Sequence, residues 1–267
     1  MGKTERRSLL LFSGGQSEPN QPYYHYADSW LPAYLAAKLG SHSRVMFAPW
    51  AVWGGHSADD MFTYGSEHWG RLGISLEPLH RQGDMIRAIE GADAVIVGGG
   101  SVHMLVKSLA EHALMPAIQR HVRDGGLYIG TSAGSVVACP TRLSAMEPPP
   151  IALERYRTMN LVPFQITPHY YEPRKDVHHS GPPPIARIRN YIAFNHDPKP
   201  VVGLKDGSCL QIENRTMTLL GEKTAMIVSP ETGEDRVRPN VDLSGLLDTH
   251  SAYYRANRRN HHTKSME

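Results

Sequence analysis

Four apolar runs, "SLLLFSGG" at 8–15, "RVMFAPW" at 44–50, "DAVIVGGG" at 93–100 and "LYIG" at 127–130, each precede a segment with helical spacing. This feature constrains the fold most. Runs that short are strands, and runs apolar throughout need cover on both faces. The intervening "ADSWLPAYLAAKLG", "SADDMFTYGSEHWGRLG" and "SVHMLVKSLAEHALMPAIQRHVRDGG" read as helices, the last interrupted near Pro116. "ISLEPL" adds a strand and "DMIRAIEGA" a short helix. The alternation predicts an α/β fold with a mostly parallel sheet between helices. Reactive groups then belong where strands end and helices begin.

Beyond Pro140 the rhythm loosens. "SAMEPPPIALERYRTMN" reads as an excursion, and "FQITPHYYEPRKDVHHSGPPP" as a loop leading into the helix "IARIRNYIAFN". The stretch from Pro200 to Val228 reads as a strand followed by short antiparallel strands. A single α/β domain over 1–235 is expected, with a polar extension over 236–267 that is partly disordered.

The chain has 267 residues, 40% of them hydrophobic, which suffices for a self-standing core. A net charge of +2 gives no electrostatic case for nucleic acid or a membrane surface. The apolar run near the N-terminus is too short for a signal peptide, Arg6 replaces the hydroxyl residue of a myristoylation signal, and no run reaches membrane-span length. Two cysteines, Cys139 and Cys209, do not make a disulfide framework, so a cytoplasmic location is expected.

Gly130-Thr131-Ser132-Ala133-Gly134 matches G-x-S-x-G. A sharp strand-to-helix turn of this kind lifts a serine hydroxyl into the open, and small neighbours let backbones pass closely. The alternative is an ordinary serine N-cap. Gly98-Gly99-Gly100, which ends another strand, could lie beside the turn, so that the N–H groups of Gly100 and Ala133 would form a two-donor oxyanion hole. The triple glycine has neither G-x-G-x-x-G nor the Lys-Ser/Thr of a P-loop. His169, in "FQITPHYYE", is the candidate base, and Asp206, in "VVGLKDGS", the candidate orienting acid. The pairs His178-His179 and His261-His262 do not make a recognisable metal site, and no metal or cofactor is expected.

The segments "IVGGGS", "LYIGTSAGSVVACPT", "PFQITPHY" and "VVGLKDG" together resemble the peptidase E family of serine peptidases, which also includes cyanophycinase. The resemblance runs from the first strand to about residue 230. It implies a fold related to class I glutamine amidotransferases, an acyl-enzyme mechanism on small peptides, and Ser132, His169 and an acid as the triad. The acid position falls on Asp206, where the family's aspartyl dipeptidases carry glutamate; Glu147 and Glu172 are the reserves. Ser101 stands where the family has asparagine, and the segment "SGPPPIA" puts Pro184 at the position of an arginine that meets the substrate's aspartyl carboxylate. Ser101 and Arg174 are therefore the candidate substrate contacts, with Lys175, His178 and Arg187 as other cations, and a strong preference for an N-terminal aspartate is not expected. The resemblance also allows a homodimer. An esterase-like α/β hydrolase, with its acid before its histidine, and a silent family member that only binds are the competing readings.

Overall fold

The strand Ser8–Phe12 (β1) sends Leu9 and Leu11 to one side and Leu10 and Phe12 to the other, and all four are fully buried. Two faces of one strand buried together require a layer on each. The computed structural model describes residues 7–173 and 182–255 and supplies those layers.

After β1 come α1 (Leu31–Lys38), β2 (Val45–Ala48), α2 (Ala58–Arg71), β3 (Glu77–Pro78), α3 (Met85–Glu90) and β4 (Ala94–Val97). They are followed by α4 (Val102–Glu111), α5 (Leu114–Arg123), β5 (Leu127–Thr131), α6 (Ala133–Ala138), β6 (Gln165–Thr167) and α7 (Pro184–Phe194). The described chain closes with β7 (Val201–Gly203), β8 (Ser208–Glu213), β9 (Thr216–Gly221), β10 (Ala225–Ser229), β11 (Gly233–Val237) and α8 (Ala252–Arg255). One sheet has the order β3-β2-β4-β5-β1-β8-β9, parallel through β1 and antiparallel at β8 and β9. A smaller sheet has the order β11-β10-β7-β6, with β6 and β7 parallel.

Leu9, Leu11, Val95, Val97 and Tyr128 pack against side chains from α4, α5 and α6. On the other face, Leu10, Phe12, Ile96 and Ile129 pack with Leu31 and Leu35 of α1 and Trp69 of α2. Helix α2 begins with a capping box: Ser57 Oγ accepts from the Asp60 N–H, and the Asp60 carboxylate accepts from the Ser57 N–H.

Some local expectations are revised. The break in the long helical segment falls at Ala113, in the left-handed region (φ 53°), and Pro116 sits in the first turn of α5, where a missing N–H costs nothing. The strand expected in "ISLEPL" shortens to two residues at a sheet edge. The antiparallel strands divide, β8 and β9 extending the main sheet while β10 and β11 join the smaller one. The boundary expected at 235/236 falls inside β11, and Leu243 and Leu246 beyond it are buried in the main core.

Candidate active site

The carboxyl ends of β1, β4, β5, β6 and β7 converge. Phe12 pairs with Thr131, Val97 with Gly130, and Thr167 with Gly203, so the segments that follow these strands leave at matching levels. Ends of parallel strands are where an open α/β sheet presents groups to a ligand.

Ser132 follows β5 with φ 51° and ψ −107°, a conformation that L residues avoid. Its surroundings hold it there. The Ser132 N–H donates to Phe12 O (3.1 Å), and buried Ser135 Oγ lies 2.7 Å from Phe12 O and 2.9 Å from Gly130 O. The flanking glycines are required by contact. A Cβ on Gly130 would lie 2.6 Å from Gly134 O, and one on Gly134 would lie 2.1 Å from Val97 O. Gly134→Ala is therefore expected to destabilise the protein by about 1–3 kcal/mol, measured by urea unfolding.

Ser132 Oγ lies 2.8 Å from His169 Nε2. His169 Nδ1 lies 2.9 and 3.1 Å from the two oxygens of Asp206. A carboxylate only accepts, so Nδ1 carries the proton, and in the neutral ring Nε2 is left to accept from the serine hydroxyl. The shorter aspartate reaches the histidine because nothing intervenes: a Cβ on Gly14 would lie 2.5 Å from Asp206 Oδ1 and 3.2 Å from His169 Cε1. Gly207, at φ 90°, turns the chain back after Asp206. The reserve acids are engaged elsewhere. Glu147 accepts from the Val102 N–H and faces His103, and Glu172 pairs with Lys205 and Arg236.

Ser13, fully buried after β1, is a part of the site that sequence reasoning missed. Its Oγ accepts from the His169 N–H (2.8 Å) and lies 2.9 Å from both Asp206 Oδ1 and Leu204 O, to one of which it donates. One hydroxyl thus ties the histidine loop to the acid loop. The only signal was a hydroxyl between a buried strand and two glycines, which ordinary turns share.

The Gly98 N–H donates to Ala48 O and the Ser101 N–H to Ala51 O. Gly100 has φ 131°, and a Cβ there would lie 1.9 Å from Ala51 O, so the segment is confined to glycine. Gly99 passes beside the serine; its Cβ would lie 3.2 Å from Ser132 Cβ.

A cavity of about 560 Å³ opens beside Ser132 and His169. Tyr23, Trp53 and Tyr64 line it, together with Asp60, Glu67 and His68. Asp60, Tyr64 and His68 are four residues apart on α2, with Glu67 beside them, so one helical face fronts the cavity. His68 stacks on Tyr23 (3.9 Å, 11°), and burial pushes its pKa below the usual histidine value. Ser101 does not line this cavity: its side chain is buried and caps α4 by accepting from the Met104 N–H. Arg187 is likewise outside the lining and donates to Met146 O, while Pro184 is buried at the start of α7. Arg174, Lys175, His178 and His179 lie outside the described residues, as do His261 and His262.

The sheet and the serine–histidine–carboxylate chain at its end define a serine-type hydrolase architecture, and the comparisons give the class as serine-type peptidase. The model of peptidase family S51 matches residues 9–220, and the chain belongs to that family. It is 32% identical over 249 residues to peptidase E of Streptomyces coelicolor, covering 92% of this chain and 97% of that protein. It is 29% identical over 242 residues to a probable alpha-aspartyl dipeptidase of Drosophila melanogaster, covering 90% and 98%. Two solved structures share the fold. A peptidase from an acI-B1 Actinobacterium superposes with a TM-score of 0.64 at 16% identity, over 90% of this chain and 98% of that one. A peptidase E-like protein from Listeria monocytogenes gives 0.60 at 18%, over 82% and 100%.

Proposed function

We propose that this protein is a serine exopeptidase that hydrolyses dipeptides or short peptides after their N-terminal residue. The observation that carries the reading is the unbroken chain from Ser132 Oγ through His169 to Asp206, at 2.8 and 2.9 Å, on a strained turn beside a cavity.

Ser132 Oγ attacks the first peptide carbonyl carbon while its proton passes to His169 Nε2. The carbonyl π electrons move onto oxygen, and the N–H groups of Gly100 and Ala133 receive that oxyanion. Asp206 stabilises the imidazolium. When the tetrahedral intermediate collapses, the C–N bond breaks, and His169 gives its proton to the leaving amine. Water, deprotonated by His169, then cleaves the acyl-enzyme ester, and the proton returns to Ser132.

Ser13 acts as a positioning residue. Ser13→Ala would leave the part-buried His169 N–H without its acceptor, at a cost of about 1 kcal/mol. Turnover is expected to fall about tenfold or more, with KM changing less than kcat, as measured by steady-state kinetics alongside thermal unfolding.

A cytoplasmic location is part of the proposal. Both cysteines are free and buried, as suits a reducing compartment. Among the described residues no helix is long and apolar enough to cross a membrane.

A screen of dipeptides and their N-acetylated forms against the purified protein tests the function. Release of free amino acids from dipeptides with a free amino terminus is expected. Turnover confined to simple esters would overturn the peptidase reading.

A further inference from the structure

The cavity that opens onto Ser132 holds two carboxylates, Asp60 and Glu67, and no lysine or arginine among its described lining residues. Asp60 is held anionic: the Ser57 N–H and hydroxyl bond its carboxylate and lower its pKa. The neighbouring His68 is disfavoured as a cation by burial, and its Nε2 is buried without a hydrogen-bond partner among the described residues. Glu67 is exposed on the same helical face and, among the described residues, has no hydrogen bond or ion pair.

Tyr23, Trp53 and Tyr64 line much of the remaining wall, together with Met61, Thr63 and the glycine segment, and His56 packs against Trp53 (5.3 Å). Tyr23 carries His68 stacked on its face and meets the edge of Tyr64 at 5.4 Å. Trp53 is 60% exposed and stands next to the glycine segment, its Cδ1 lying 3.1 Å from where a Gly100 Cβ would be. Aromatic faces attract cations, and an aromatic surface near carboxylates suits a long apolar stem ending in positive charge. An aspartyl carboxylate entering the same space would meet like charge.

We infer that this cavity selects peptides whose N-terminal side chain is cationic, lysine or arginine, with Glu67 as the specificity-determining carboxylate. The inference rests on the peptidase reading for turnover, but the binding preference stands apart from it. Glu67 is the residue to vary, because Asp60 also caps α2.

The test is kcat/KM for Lys-Leu, Arg-Leu, Phe-Leu, Ala-Leu and Asp-Leu with the wild type, E67Q and E67K. Lys-Leu and Arg-Leu are expected to exceed Ala-Leu about tenfold and Asp-Leu by more. The Lys-Leu to Ala-Leu ratio should fall about fivefold in E67Q, and E67K should shift preference toward Asp-Leu. A wild-type preference for Asp-Leu or Phe-Leu over Lys-Leu, or ratios unmoved by either variant, would overturn the inference.

Calorimetric binding of Lys-Leu and Asp-Leu to the Ser132→Ala protein separates the two readings. Tighter binding of Lys-Leu, with no wild-type turnover of any dipeptide, would support the cavity's selectivity and contradict the peptidase. Equal affinities, or tighter Asp-Leu, would overturn the selectivity whatever the turnover.

Discussion

Ser132→Ala is expected to abolish dipeptide hydrolysis, by about 10⁴-fold or more in kcat, and to leave the fold intact. Among the described residues the hydroxyl makes one hydrogen bond, to His169. The features that fix the turn do not use it: the Ser132 N–H bonds Phe12 O, and the close packing belongs to Gly130, Gly134 and Ser135. Alanine keeps the Cβ, so the strained backbone is no more unfavourable than before. The thermal midpoint should therefore stay within a few degrees while turnover disappears. A variant retaining a tenth of wild-type turnover would contradict the role given to Ser132.

Asp206→Asn is expected to lower kcat by about 10³- to 10⁴-fold with a much smaller change in KM. The carboxylate accepts a hydrogen bond from the Nδ1–H of His169 at 2.9 Å, which leaves Nε2 free to accept from Ser132. An amide can present its NH₂ to Nδ1 and favour the tautomer with the proton on Nε2, where it blocks the serine. It also cannot balance the imidazolium formed during attack. Single-turnover rates with Lys-Leu and Ala-Leu measure this effect. Wild-type acylation by Asp206→Asn would remove Asp206 from the mechanism.

The parts of this site that could be read from sequence are those whose chemistry is local. Ser132 declares itself because a strand, two glycines and a helix occur within a few residues, and His169 and Asp206 follow short buried strands. Ser13 does not, because its significance comes from the pairing of β1 with β5 and its distance to Leu204, about 190 positions away. The α2 face is similar. Asp60, Tyr64 and His68 have helical spacing, yet only the packing of α2, where Gly65 meets Phe47, turns that face toward the cavity. Leu243 and Leu246 were hidden for another reason: they lie in a stretch dominated by polar and turn-forming residues, although both end fully or nearly fully buried. The break at Ala113 was misplaced because proline signals a helix end more loudly than a left-handed alanine does.

The most direct test of the central claim is active-site labelling with a fluorophosphonate, read by peptide mass mapping in the wild type and in His169→Ala. A single adduct on Ser132, formed in step with loss of dipeptide hydrolysis and much more slowly in His169→Ala, is the predicted result. Hydrolysis that persists after Ser132 is fully labelled, or equal labelling of both proteins, would contradict it.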